Sequence, residues 1–438
     1  MLKVAIIGSG PAGYYTAEGL LKQFGSGVEV DIIDRLPTPF GLIRNGVAPD
    51  HQSIKAVTRR YENTQEGGSV RFWGNVEVGD AISMDELRRL YHAVVLATGA
   101  PQDRPLGIPG DARPGVIGAG AFVGWYNGHP DYADLNPSLD TEAVAIIGNG
   151  NVALDVARVL VKTPDEMAAS DLTRHAAQAI HNSPIRTVYI IGRRGPLQVS
   201  FSPKELGELG ELSEAVPLVE ASQLPPEGAE RALEDAGLRK SVGHLRRFAS
   251  RSAEERERQI RFLFYSRPEA VLGDNRVKGL RLERVWLNEA GQVEGGGETF
   301  DLSVGLIISC IGYRTLAIPG VPFDSERGRF CNDEGVIGPD LYCVGWARRG
   351  PSGTIGTNRP DGFLIAEKIA ASGWAGERPG RAGLEALLRE RDIWAVTFDD
   401  WKRIDAAEIA RARIGAPREK FVRIDDMLGQ IGSGGAKP

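Results

Sequence analysis

A short apolar run that breaks on three glycines constrains this chain more than any other feature. Val4-Ala5-Ile6-Ile7 reads as a buried parallel strand. It ends at Gly8-Ser9-Gly10-Pro11-Ala12-Gly13, and an apolar-spaced helical segment follows. In such a turn Gly8 allows the tight bend and Gly10 lets the backbone approach a pyrophosphate. Gly13 lets helix and strand pack closely, and the free N–H groups of the helix start face the phosphates. A second apolar run, Val28 to Ile33, closes on Asp34, 21 residues after Gly13. An acid placed there accepts a ribose hydroxyl. The pattern predicts a dinucleotide-binding βαβ unit.

With 438 residues the chain is long enough for two or three domains. Its 55 glycines suit a protein rich in βα turns rather than a helical bundle. A net charge of −6 gives no global reason to expect nucleic acid, so a partner attracted by basic residues needs a local patch. The three cysteines, Cys310, Cys331 and Cys343, include no CxxC pair. That count and spacing argue against a disulfide framework, a metal site, an iron–sulfur cluster and a redox dithiol. Cys310 and Cys343 lie in apolar runs and are expected to be inert core thiols. The first strand begins at Val4, leaving no room for a signal or transit peptide, and no apolar run is long enough to span a bilayer. A reducing, cytoplasmic setting is the expectation.

After Asp34, the stretch from Arg35 to His51 holds three prolines and two glycines yet is too apolar for a solvated loop. Two readings fit it, a segment wrapped around a flavin and a packed connector. Residues 52–67 are expected to be helical, with strands at Val70–Trp73 and Val76–Val78, a helix opening at Met84 and a strand from Ala93. Four prolines between 101 and 114 read as a crossing between domains.

The motif then repeats. Val144 to Ile147 runs into Gly148-Asn149-Gly150-Asn151-Val152-Ala153, with alanine at the third glycine position, so helix and strand pack less closely. The next convincing strand, Thr187–Ile191, ends in Gly192-Arg193-Arg194-Gly195 rather than in an acid. Two guanidinium groups at the ribose-reading position suit a 2′-phosphate. An inserted helical hairpin, about 170–181, accounts for the long gap before them. Two dinucleotide folds with opposite ribose readers suggest FAD in the first and NADPH in the second. Residues 204–260 read as charged and mostly helical, with a basic cluster at Arg239, Lys240, Arg246, Arg247 and Arg251. Strands alternate through 277–311, and Leu306 to Tyr313 is expected to lead back to the first domain. Leu341 to Val344 reads as a strand, followed by a glycine-rich loop and a helix from about Pro360.

Five blocks together resemble the adrenodoxin-reductase type of ferredoxin–NADP⁺ reductase: GSGPAGYYTAEGLL (8–21), LPTPFGLIRNGVAPDH (36–51), FVGWYNG with GNGNVALDVARVL (122–128, 148–160), GRRGPLQVSFSPKEL (192–206) and VGWARRGPSGTIGTN (344–358). The resemblance implies an α/β protein of two Rossmann-like dinucleotide-binding domains. The FAD domain is discontinuous (1–102 and 320–438), with the NADP domain (103–319) inserted. It implies FAD held by Gly8, Gly10, Ala12, Gly13, Asp34, Leu42, Val78, Gly345, Trp346, Gly353, Thr354 and Ile355. NADPH is then held by Asn149, Gly150, Asn151, Val152, Arg193, Arg194 and Glu205. His51 and Glu208 match positions near the nicotinamide and are the catalytic candidates; no metal is implied. The implied activity takes hydride from NADPH and delivers electrons singly to an acidic ferredoxin, with a cytochrome P450 as one possible downstream user. Asp34 stands where glutamate is usual, and the fifth block runs on into Asn358-Arg359-Pro360-Asp361; both departures bear on flavin affinity rather than on redox chemistry.

Two other classes compete. A flavin monooxygenase carries FxGxxxH, and here Phe122 and Gly124 are followed by His129, one residue too late. A non-catalytic flavin-binding sensor needs no hydride donor, so the arginine pair argues against it.

Overall fold

The computed structural model describes residues 1–432 as two compact units. The first comprises residues 1–102, 127–133 and 312 onward, and the second 103–126 and 134–311. The expected second boundary, after residue 319, thus falls after 311. The seven residues 127–133 belong with the first unit, and 433–438 of the expected FAD segment lie outside the described residues.

The first unit is built on a six-stranded sheet. Its order is Val336–Gly338, Leu341–Cys343, Ala93–Leu96, Leu2–Ile7, Val28–Ile33, Val70–Trp73. All neighbours are parallel except the Val336–Gly338 edge. Strand Leu2–Ile7 is thus flanked by the next strand of the chain and by a later one. That is the switch point at which open parallel sheets bind ligands. Helices Pro11–Phe24 and Asn358–Ala371 pack together nearly backbone to backbone. A Cβ at Gly362 would come within 2.6 Å of the Thr16 nitrogen, and one at Gly19 within 3.0 Å of Ala366 Cβ.

The second unit repeats the plan with Val116–Gly118, Leu306–Ser309, Ala143–Ile147, Thr187–Ile191, Arg258–Leu263 and Ala215–Val219, parallel throughout. An antiparallel sheet of Ser266–Leu272, Gly279–Leu287 and Val293–Leu302 adds Val271, Leu280 and Leu282 to a core with Ile147 and Ile307.

Several local expectations are corrected. Residues 52–67 form two short helices, Gln52–Lys55 and Thr58–Asn63, because the chain bends to stack Tyr61 on Tyr14 at 4.9 Å. Val76–Val78 is not a strand: Val76 N–H donates to Asp34 O, and Val78 pairs only with Ile82 around Gly79, whose φ is +104°. The inserted segment is a turn-rich stretch and one helix, Arg174–His181, rather than a hairpin. Within 204–260, Ala215–Val219 is a strand, and Pro217 is tolerated because it sits on the sheet edge. The stretch Leu306 to Tyr313 does lead back as expected: Leu306–Ser309 lies in the second unit's sheet and the first unit resumes at Gly312. The late helix starts at Asn358, with Pro360 in its first turn, where a missing N–H costs nothing. Cys343 is buried and its thiol is pushed up to about 12 by desolvation; Cys310 is half-buried and Cys331 exposed.

Among the described residues no helix is long and apolar enough to cross a membrane.

Candidate functional site: two glycine turns

Each sheet ends its central strand in the same hydrogen bond. Gly8 N–H donates to Ile33 O at 2.8 Å, and Gly148 N–H donates to Ile191 O at 2.9 Å. Both glycines have positive φ, +109° and +141°. A Cβ at Gly8 would lie 2.5 Å from Ala97 O, and one at Gly148 would overlap Cys310 O. Nothing lies within 4 Å of where a Cβ on Gly10 or Gly150 would project. At the third position the turns differ. A Cβ on Gly13 would overlap the Gly8 carbonyl oxygen, whereas the second turn accommodates Ala153, fully buried and donating its N–H to Gly150 O at 3.0 Å.

Around the first turn, Asp34 Oδ2 accepts from Ser9 N–H (2.9 Å) and Ser9 Oγ–H (2.6 Å), and Oδ1 from Leu36 N–H (3.0 Å). A carboxylate has about four acceptor sites, so capacity for a ribose hydroxyl remains. The 35–51 segment folds over this turn. Phe40, at φ +83°, donates its N–H to Ser9 O, and a Cβ at Gly41 would come within 3.0 Å of Gly10 Cα. Leu42 starts the short helix Leu42–Asn45 and is 47% exposed. Arg44 locks that helix by a bidentate bond to buried Glu408 (2.8 and 2.5 Å), with its guanidinium over Trp401 at 4.9 Å. Gly345, at φ +64°, packs on Ala12 and precedes Trp346, whose ring stacks on Tyr313 at 5.8 Å and whose Nε1–H donates to Ser352 O. Gly353 has φ +83°, Thr354 N–H is fixed by Thr357 Oγ1 at 3.0 Å, and Ile355 packs against the core. Asp361, in the departing block, pairs with Arg348 and Arg349.

Thr38 Oγ1, Asn45 Oδ1 and Thr98 Oγ1 are buried around this turn with no hydrogen-bond partner among the described residues. Burying unpaired polar atoms is costly. Together with the open face of Gly10 and the half-exposed Leu42, they fit a ligand that is polar along one edge and apolar on its face. The residues present fit FAD.

The second turn carries a different set. Asn149 O accepts from Ser200 N–H at 2.9 Å, and Asn151 Oδ1 from Ser202 N–H at 2.7 Å. Val152 lies in the first turn of helix Asn151–Val161. Ser202 Oγ caps helix Pro203–Glu208 by accepting Glu205 N–H. Asn149 Oδ1, Glu205 Oε2 and Ser309 Oγ are buried without hydrogen-bond partners among the described residues. Arg193 and Arg194 are exposed, and neither guanidinium pairs with a carboxylate among the described residues. Two unneutralised guanidinium groups beside unpaired acceptors fit a phosphorylated ribose, and so NADPH.

The two catalytic candidates lie in different units, Glu208 in the second and His51 in the first. Glu208 lies 3.5 Å from Arg158, which also pairs with Asp155 at 2.8 Å and is 1% exposed. His51 precedes helix Gln52–Lys55 and its carbonyl accepts from Ile54 and Lys55 N–H. The basic cluster is narrower than its sequence suggests. Arg239 donates to the Leu233 and Glu234 carbonyls, Arg246 pairs with Glu230 at 2.8 Å, and Arg251 pairs with Glu255. Lys240 and Arg247 remain exposed on helix Ala236–Ala249. Sequence reasoning missed Glu408, which lies over 350 residues from the loop it braces, and Tyr265, taken up below.

Twin Rossmann-like units with glycine turns define a pyridine-nucleotide oxidoreductase, and a family model described as pyridine nucleotide-disulphide oxidoreductase matches residues 2–208. Human mitochondrial NADPH:adrenodoxin oxidoreductase is 41% identical over 98% of this chain and 92% of its own length. NADPH-ferredoxin reductase FprA of Mycobacterium tuberculosis is 37% identical over 98% and 99%. The solved structure of that FprA in complex with NADPH superposes with a TM-score of 0.95 at 35% identity, covering 98% of this chain and 100% of that one. The chain belongs to the adrenodoxin reductase family of NADPH-dependent ferredoxin reductases.

Proposed function

We propose that this protein is an NADPH-dependent flavoprotein reductase that passes electrons singly to a ferredoxin. The observation that carries the reading is the pair of matched glycine turns with opposite ribose readers, Asp34 in one and Arg193 with Arg194 in the other. FAD, when bound, supplies two-electron uptake and one-electron release. The chain's residues hold and orient. Gly8, Gly10, Ala12, Gly13, Asp34, Leu42, Val78, Gly345, Trp346, Gly353, Thr354 and Ile355 hold FAD. Asn149, Gly150, Asn151, Val152 and Glu205 hold NADPH, with the two arginines on its 2′-phosphate. Hydride transfer requires no acid–base side chain, so His51 and Glu208 act by position.

The acceptor is an acidic ferredoxin, drawn to the positive charge of Lys240 and Arg247. A reducing cytoplasm suits three free thiols, and a cytochrome P450 is the downstream client to assay first. The test is NADPH oxidation by the purified yellow protein, with ferricyanide as acceptor and with ferredoxin plus cytochrome c. Ferredoxin-dependent cytochrome c reduction is expected. NADPH-dependent oxygenation of a ketone in its place would make the protein a monooxygenase, and a flavin that NADPH does not reduce would make it a sensor.

A further inference from the structure

The arginine-bearing turn is gripped from one side by a segment that none of the sequence motifs includes. Gly192 N–H donates to Leu263 O at 2.9 Å, Ser266 N–H donates to Gly192 O at 3.0 Å, and Tyr265 N–H donates to Arg194 O at 3.3 Å. Tyr265 adopts φ +52°, a left-handed conformation that bulky residues rarely enter. Its own carbonyl accepts Val285 N–H at 2.9 Å, so both of its backbone polar groups are bonded. The phenol end of its side chain lies close against Gly195, where a Cβ would overlap the hydroxyl oxygen and Cζ. Gly195 itself has φ −91° and ψ −178°, an ordinary extended conformation that any residue adopts. A side chain at 195 is therefore opposed by the Tyr265 ring and not by the backbone conformation. At the other end of the turn, a Cβ at Gly192 would overlap the Asn149 side-chain amide. The two arginines sit between two glycines, each covered by a side chain.

We infer that Tyr265 is a positioning residue for coenzyme selection, whose ring braces Gly195 and so holds Arg193 and Arg194 at the spacing a 2′-phosphate needs. Strained residues persist where the surrounding structure over-determines them, and such strain clusters at ligand clamps. The inference rests on the NADPH reading above. It predicts an effect on the phosphorylated ribose alone, because Tyr265 acts on the turn and not on the glycine loop at 148–150.

The test measures binding of 2′-AMP and 5′-AMP to the holoenzyme by calorimetry. The variants are Tyr265→Gly, Tyr265→Phe, Gly195→Ala and the double variant Tyr265→Gly/Gly195→Ala. Glycine at 265 keeps the left-handed backbone without strain, so Tyr265→Gly separates bracing from folding. It should weaken 2′-AMP about tenfold, the loss of roughly one charge-assisted bond, and leave 5′-AMP within about twofold. Tyr265→Phe should keep native affinity, since the ring does the bracing. Gly195→Ala should weaken 2′-AMP as Tyr265→Gly does, and the double variant should be no worse than either single one, because the two act on one contact. Additive losses, equal losses on both nucleotides, a Phe variant as weak as the Gly variant, or native 2′-AMP affinity in Tyr265→Gly would each overturn the inference. A wild-type protein that does not prefer 2′-AMP over 5′-AMP would instead bring down the NADPH reading itself.

Discussion

The two glycine turns share a hydrogen-bond plan and differ in how much freedom each leaves. The first is closed by backbone: Gly13 sits on the Gly8 carbonyl, the 40–41 segment lies on Gly10, and Arg44 ties that segment to Glu408. The second tolerates Ala153, and its ribose reader is a pair of exposed arginines set by neighbouring side chains. A cofactor that stays resident suits a site built of backbone and burial. A coenzyme that comes and goes suits a looser turn with charge displayed at its rim. The comparison teaches that one motif serves retention or exchange according to what packs behind it.

The contrast is broken most severely at the third position. Gly13→Ala should cost on the order of 4–5 kcal/mol or yield protein without flavin, because the new methyl meets a carbonyl oxygen that cannot move. Its counterpart Ala153→Gly should cost only about 1 kcal/mol through helix propensity, with NADPH binding retained. Thermal unfolding and the 450 nm flavin absorbance of both variants check this. Equal losses would erase the distinction between the turns.

Replacing Arg193 and Arg194 together by alanine comes next. Each loses charge-assisted bonds worth roughly 1.5–3 kcal/mol, so kcat/KM for NADPH should fall more than about a hundredfold while that for NADH hardly changes. Similar losses with both coenzymes would mean the arginines support the fold instead of reading the phosphate.

Acid should distinguish the units more gently. In the first unit, burial pushes the His129 imidazole from 6.5 down to about 4, against the opposing pull of Asp131, which also pairs with Arg35 next to Asp34. The folded state then binds fewer protons than the unfolded chain between those values, so stability falls as pH drops through that window. The full shift is on the order of 3 kcal/mol. Flavin release, followed by fluorescence between pH 7 and 4.5, should rise in the native protein and flatten in His129→Gln. An unchanged profile in that variant would place the acid sensitivity elsewhere.

The smallest effect concerns the partner. Lys240→Glu with Arg247→Glu should raise the apparent KM for ferredoxin several-fold at low salt, on the order of 1 kcal/mol, and less at high salt as screening grows. Ferricyanide reduction, which needs no docking, should stay unchanged. Unaltered ferredoxin kinetics at low salt would leave the helix a solvated face.

Much of this was legible in the amino-acid order because it is local. A β-branched run, a glycine triplet and a terminal acid or arginine pair lie within one βαβ unit, and their spacing alone implies the strand, turn and ribose reader. Ser83, whose Oγ and N–H exchange bonds with Glu86 to open helix Met84–Leu90, is equally local. What failed was set by neighbours distant in sequence. Ala215–Val219 is a strand because Arg258–Leu263 offers it an edge, and 127–133 joins the first unit because Asn127 accepts from Lys420 and Asp131 pairs with Arg35. Arg246 looks like a free charge in a basic run, and only the fold brings Glu230, on an earlier turn of the chain, to it. Tyr265 carries no motif at all. Its role exists because a strand end, a strained residue and Gly195 converge in space, and convergence across 70 residues of chain is decided by packing, which no periodicity encodes.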